Sequence, residues 1–378
     1  MIYLDHAATT TMYPEAVKQM LPYFQRYFCN PSGTYQQGTM IHKSINQIRA
    51  NIAQSIHVEP EEVYFTSGGT ESDNWILINT ARNYSEKGRH IITTQIEHHA
   101  ILHTCQFLET QGYEVTYLPV NEKGIVEPEM VREAIRPDTI LVSIMFANNE
   151  IGTVQPIAQI GQITREKGVV FHTDAVQAYG HLPINAKELG IQSLSASAHK
   201  FGGPKGTGFL YVKKDVKLSP LINGGAQERK ERAGTENVPG IMGMGKAAEL
   251  SIENMSQHEK KESMLRDYLK DRILSEIEMV RLNGDARKRL PGNLNVSFRG
   301  LQSQALITML EMRGIYVSGG SACTSEEKGP SHVLKALGLS DEMAGGALRI
   351  TIGYENTMEE MDYTFRCIQA AVEELRKL

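Results

Sequence analysis

Between residues 62 and 212 the chain alternates short, apolar, β-prone runs with stretches of helical patterning, and no other feature limits its fold so strongly. The predicted strands are 62–66, 90–94, 114–118, 139–145, 169–173, 193–196 and 208–212, and the predicted helices 72–85, 100–110, 128–135 and 157–166. Strands separated by helices of this length join one sheet through crossovers, so the spacing predicts βαβ units and a largely parallel sheet. Residues 140–146 are almost continuously apolar, the pattern of a strand covered on both faces. After Pro239 the texture changes. A long helical pattern over 241–274, heavily charged in its second half, leads into strands 293–298, 315–317 and 348–352 and helices 303–312, 331–337 and 358–375. With 378 residues, the chain is expected to form a large α/β unit followed by a smaller α+β one.

Several partners are disfavoured. The net charge of −5 comes from interspersed acids and bases, with no basic stripe for direct nucleic-acid contact. The longest apolar run, 140–147, contains Ser143 and is too short for a bilayer, so no membrane is expected. The opening Met1-Ile2-Tyr3-Leu4-Asp5-His6 has no basic-then-apolar targeting pattern. Cys29, Cys105, Cys323 and Cys367 are scattered and form no C-x-x-C pair. Neither zinc nor a disulfide framework is expected, and a reduced, cytoplasmic compartment fits best.

Chemistry-bearing residues sit where strands should end. Strand 193–196 runs into Ser197-Ala198-His199-Lys200 and then a glycine-rich turn. A buried lysine there suits Schiff-base chemistry, because burial lowers an amine's pKa; Lys205 is the rival, and two solvated loop lysines are an equal reading. Thr66-Ser67-Gly68-Gly69-Thr70-Glu71-Ser72 lies between a strand and a helix, where free N–H groups form a phosphate cradle. It also reads as a plain helix start capped by Thr70 or Ser72. Asp174, at the end of strand 169–173, can hold a proton on a heteroaromatic nitrogen, with Gln177 in reach of the same ligand, or it can be a helix cap. Glu97-His98-His99 does not have metal spacing, and one imidazole facing a cofactor is the functional reading. Arg349 on strand 348–352 can grip a carboxylate in bidentate fashion, or serve as an ordinary salt-bridge arginine. Ser318-Gly319-Gly320-Ser321-Ala322-Cys323-Thr324-Ser325 offers a thiol no apolar core, which suits either a travelling nucleophile or an incidental turn.

Together these motifs resemble the cysteine desulfurases of the class V aminotransferase group, fold-type I pyridoxal-phosphate (PLP) enzymes. The likeness spans essentially the whole chain and includes Tyr3–Thr10, Asn30-Pro31-Ser32, Asn148-Asn149-Glu150-Ile151-Gly152, His199-Lys200, Gly234-Thr235-Glu236-Asn237, Ser321–Ser325 and Leu348-Arg349. It implies an α/β fold-type I transferase, with a large PLP-binding domain at 15–257 and a small α+β domain at 1–14 and 258–378. It implies that Lys200 holds PLP and later moves the α-proton, and that Asp174 pairs with the ring nitrogen. Gln177 would meet the ring oxygen, and His98 would stack on the ring and assist proton transfer. Asn149 would touch cofactor and substrate, while Gly69, Thr70, Ser197 and His199 would hold the phosphate. Thr235 would reach the partner subunit's phosphate in a homodimer. Arg349, Asn149 and Asn30 would bind L-cysteine. Cys323 would take its sulfur as a persulfide and pass it to an acceptor protein, an iron–sulfur scaffold or a tRNA-thiolation enzyme. The Ser-x-Cys-x-Ser pattern is similar to the IscS/NifS-like group. Selenocysteine lyase or another class V aminotransferase-type activity is the alternative.

Three features depart from the family pattern. Cys29 precedes Asn30, with Gly33 and Tyr35 where a serine and a histidine are common. Residues 228–232 are highly charged before Thr235. The carboxyl extension with which some members dock an iron–sulfur scaffold is expected to be short or absent.

Overall fold

The predicted alternation is realised as one seven-stranded sheet, seen in a computed structural model that describes residues 1–319 and 330–377. Its order is Val63–Thr66, Gly208–Val212, Ser193–Ser197, Val170–Asp174, Thr139–Ser143, His90–Thr94, Glu114–Leu118. Every neighbouring pair is parallel except those made by Gly208–Val212, which runs antiparallel to both its neighbours. Only a short turn joins that strand to Ser193–Ser197, too little chain for a crossover helix, so it must return antiparallel. The class is α/β. Thr139–Ser143 and Val170–Asp174 are buried along their whole lengths, as a strand covered on both faces requires.

Strand 139–145 ends two residues earlier than its apolar run predicts. Ile144 and Phe146 still donate their N–H groups to the carbonyls of His172 and Asp174, so the chain stays bound to the sheet edge while it turns toward the site. The larger departure is the 20-residue helix Gln36–Ser55, in a stretch where the sequence reading placed no element. Its buried Ile41, Ile45 and Ile52 form a helical stripe, but Gly38 and many polar residues dilute the signal.

The helix Val238–Glu276 joins two apolar cores. Asn237 caps it by accepting from the Gly240 N–H, and Pro239 occupies its first turn, where no N–H is needed. Its 39 residues span roughly 58 Å at the α-helical rise. Ile241, Met244 and Ala247 enter the core of the large sheet. Leu265, Leu269 and Ile273, spaced by four, enter a second core over a three-stranded antiparallel sheet. That sheet has the order Ala347–Thr351, Asn293–Phe298, Val280–Leu282. Each fully buried leucine or isoleucine contributes about 1.5–3 kcal/mol. The amino terminus belongs to this second core: Ile2–Tyr3 pairs with Ile315–Tyr316, and Asp5 bridges Thr351. Residues 5–8 are thereby carried to the edge of the large sheet. Among the described residues no helix is long and apolar enough to cross a membrane.

Candidate active site

Parallel strands deliver their carboxyl ends to one edge, and the segments leaving that edge build the site. Gly69, Thr70, His98, Asn149, Asp174, Gln177, Ser197, His199, Lys200 and Arg349 all line a single cavity of about 230 Å³. Asn30 and Thr235 do not. Both are exposed, and the Asn30 carboxamide is engaged locally, accepting from the Ser32 N–H at 2.9 Å. Cys323 lies outside the described residues.

Lys200 ends a short 3₁₀ turn, Ala198–Lys200, directly after strand Ser193–Ser197. Its Nζ donates to the carbonyls of Ala7 and Ala8, which the amino-terminal segment brings to the cavity wall. Lys205 is exposed on the following turn. The lysine aimed into the cavity is therefore Lys200. His199 faces the same segment, with Nδ1 3.2 Å from the Thr9 hydroxyl.

Asp174 closes its strand and is 6% exposed. One oxygen accepts from the Val176 N–H at 2.9 Å, but a turn and no helix follows, so Asp174 is not a helix cap, and it lines the cavity. Burial raises its pKa, while the nearby Lys200 charge pulls the other way. Behind it stands a residue the sequence reading missed. Asp73, 1% exposed, also lines the cavity, and its Oδ1 has no hydrogen-bond partner among the described residues. It sits 3.6 Å from His172 Nε2, which also meets Ser195 Oγ at 3.0 Å. His172 Nδ1 meets Ser143 Oγ at 2.9 Å. Burial drives the His172 pKa down to about 3, and burial together with the Asp174 charge raises that of Asp73. The signal was present in the sequence: Asp73 lies four residues after Gly69, on the same helical face.

His98 caps the helix His99–Thr110, and its Nδ1 accepts from the Ala100 N–H at 3.1 Å. Burial, reinforced by the Lys200 charge, lowers its pKa to about 4. The ring is thus neutral near pH 7, and with Nδ1 accepting, its proton resides on Nε2. Glu97, buried beside it, accepts from the Thr94 hydroxyl at 2.7 Å and from the Met145 N–H, tying this loop to the next.

The helix predicted from residue 72 begins at Gly69. Ser72 therefore lies inside the first turn, bonded to the Thr66 hydroxyl and the Gly68 carbonyl, and no side chain among the described residues caps the start. Gly68 sits at φ 152° and ψ −176°, a conformation open essentially to glycine alone. The turn exposes an uncapped, positive helix end to the cavity.

Arg349 is 1% exposed. Its Nη2 donates to Asp5 at 2.7 Å and its Nη1 to the Asn149 carbonyl at 3.2 Å, while Nε has no partner among the described residues. It is an ion-paired arginine, but a buried one whose guanidinium borders the cavity. Asn149 presents its neighbouring side chain there as well.

The class V aminotransferase profile matches residues 2–364. The chain is 51% identical over 377 residues to cysteine desulfurase IscS of Methanosarcina thermophila, covering 100% of this chain and 93% of that protein. A NifS-like protein of known structure superposes with a TM-score of 0.92 at 37% identity, over 100% of both chains. The structure of SspA in complex with cysteine gives a TM-score of 0.84 at 35% identity, over 94% of this chain and 100% of that one.

Proposed function

The chain belongs to the class V aminotransferase family, and from that premise we propose that it is a PLP-dependent cysteine desulfurase. The observation that carries the proposal is the convergence of Lys200, Asp174, His98, Arg349 and the uncapped Gly69 helix start on one cavity. The donor set fits PLP in kind. A bare helix end would offer N–H groups to a phosphate, a buried carboxylate would pair with a ring nitrogen, and the Lys200 amine on the same cavity wall would meet the aldehyde. The unpartnered Asp73 Oδ1 adds a second buried acceptor on the same wall.

When bound, PLP supplies an electron sink for bonds broken around the substrate's α-carbon. Gly69, Thr70, Ser197 and His199 hold its phosphate in this reading, with Thr235 reaching the partner subunit's phosphate in a homodimer. Asp174 keeps a proton on the ring nitrogen, and Gln177 meets the ring oxygen. Lys200 Nζ would hold the cofactor and would also serve as the base that moves the substrate's α-proton. His98 would lie against the ring and would offer its Nε2 proton. Arg349 receives the substrate carboxylate, assisted by Asn149, and Asn30 contributes from the rim. Cys323 accepts the substrate's sulfur. The overall change is redox-neutral: the Cys323 thiol and L-cysteine become a Cys323 persulfide and L-alanine. The thiolate is the competent form, and a free cysteine has a pKa of roughly 8.5. The persulfide then passes to an acceptor protein serving iron–sulfur or thiolation chemistry, and a reducing cytoplasm suits that free thiol. We assign 15–257 to the PLP-holding domain, and 1–14 with 258–378 to the smaller one; the two apolar cores support this division.

The test is to load the purified protein with PLP, add L-cysteine and a reductant, and measure alanine and sulfide. Stoichiometric alanine is expected. A protein that stays colourless after PLP incubation contradicts the cofactor assignment, and a coloured protein that releases no alanine contradicts the activity.

A further inference from the structure

Glu150 lies outside the cavity yet touches its wall from behind. It is 2% exposed, and a buried carboxylate is costly unless its hydrogen bonds are met. Its N–H donates to Asn148 Oδ1 at 2.8 Å, and its carbonyl accepts from Asn293 and Asn295 at 3.3 and 3.1 Å. This backbone is therefore pinned to the small sheet. Its side chain turns elsewhere: Oε2 accepts from the Ser331 hydroxyl at 2.6 Å. Ser331 in turn caps the helix His332–Ala336, its Oγ accepting from the N–H groups of Val333 and Leu334. A hydroxyl has one proton. By taking it, Glu150 leaves the oxygen's lone pairs aimed at those N–H groups.

Ser331 is the eighth residue after Cys323 in the sequence. On the other flank, Ser318 exchanges two backbone hydrogen bonds with Arg349, at 2.8 and 3.1 Å. Burial raises the Glu150 pKa to about 7, while the Ser331 hydrogen bond and the Arg349 charge pull it the other way. Arg349 through its backbone and Glu150 through its side chain thus each hold the described residues on one side of the segment that contains Cys323.

We infer that Glu150 is a positioning residue for sulfur transfer: with Arg349 it fastens both flanks of the Cys323 segment to the place where the substrate carboxylate binds. The inference rests on the desulfurase reading. It gives the acid of Asn148-Asn149-Glu150 a task that neither cofactor nor substrate contact supplies. Substrate binding and sulfur transfer then depend on different atoms, Arg349 for the first and the Glu150–Ser331 bond for the second.

That separation makes the inference testable in PLP-loaded protein. Two readings are taken: the spectral change on L-cysteine addition, reporting binding, and the single-turnover rate at which Cys323 gains one sulfur, by mass spectrometry. Ser331→Ala is expected to leave binding within about twofold and to slow persulfide formation about tenfold, the scale of one lost helix cap. Ser331→Thr, which keeps the hydroxyl, should restore the rate. Glu150→Ala should match Ser331→Ala, and the double variant should be no slower than either, because both remove one shared bond. Should Glu150→Ala fail to fold, the Ser331→Ala and Ser331→Thr pair decides alone. Persulfide formation at the wild-type rate in Ser331→Ala overturns the inference. So does a loss of substrate binding parallel to the loss of rate, which would make the bond merely structural. A wild-type protein that yields no alanine overturns the activity reading itself, an outcome distinct from both.

Discussion

The floor of the cavity and the exposed positions beside it carry motifs of equal clarity but are built differently. Asp174, Ser197 and Lys200 occupy or directly follow the ends of buried parallel strands, and His98 and Asn149 lie on the turns just beyond such ends. The pairing register therefore dictates where their side chains meet. Asn30 and Thr235 sit on exposed chain away from the cavity, where nothing in their own sheet determines a ligand. The contrast teaches that the strand ends of one chain gather the residues of the floor, whereas nothing in that chain gathers Asn30 and Thr235 to the cavity; the proposed function gives them a second surface. In our reading that surface is a second copy of the chain.

The sharpest way to break this contrast is at Lys200. Lys200→Ala should lower alanine formation by about 10⁴-fold, the upper range for losing a positioned acid–base group. It should also abolish the visible absorption of lysine-bound PLP, and retention of that band would place the attachment elsewhere. Asp174→Ala should reduce turnover by roughly 10²–10³-fold, as for other preorganised electrostatic partners. A comparable loss from Thr235→Val would erase the distinction between floor and rim. Arg349→Lys should cost about 10–100-fold in kcat/KM, mostly through KM, because a point charge replaces a fork. An unchanged KM would return Arg349 to a purely structural ion pair with Asp5.

The floor should also have a pH signature that the rim lacks. His172 and His98 ordinarily titrate near 6.5, but burial lowers them to about 3 and 4 in the folded protein. Between those values the unfolded chain binds more protons, so their contribution to stability falls as pH drops from 6.5 toward 4. His172→Gln should flatten that decline by about 1.4 kcal/mol per pH unit, measured by urea unfolding at several pH values. A slope identical to wild type would mean that burial does not hold His172 neutral in the folded protein. The smallest effect belongs to the rim. Thr235→Val should weaken PLP affinity about two- to tenfold, the value of one hydrogen bond, by fluorescence titration.

What could be read from sequence follows the same division. Strands and helices between 62 and 212 were legible because short apolar runs and turn residues alternate without ambiguity, and the strand-end residues came with them. The helix Gln36–Ser55 was not, because its isoleucine stripe is interrupted by polar residues and Gly38. Asp73 was missed because a carboxylate four residues into a helix looks like a solvated face until the sheet beneath it is known. Glu150 was legible as part of a motif, but its bond to Ser331 joins positions 181 residues apart, and only the fold reveals it. The Arg349–Asp5 ion pair is of the same kind, spanning 344 residues.

The central claim is that this cavity exists to move sulfur from L-cysteine to Cys323. The most direct measurement is intact-protein and peptide mass spectrometry of the PLP-loaded chain after one turnover with L-cysteine and no reductant. The account predicts one added sulfur atom on the peptide containing Cys323, one alanine per sulfur, and neither product in Cys323→Ser. Alanine formed at the wild-type rate by Cys323→Ser, or sulfur found on Cys29 with Cys323 unmodified, would contradict it.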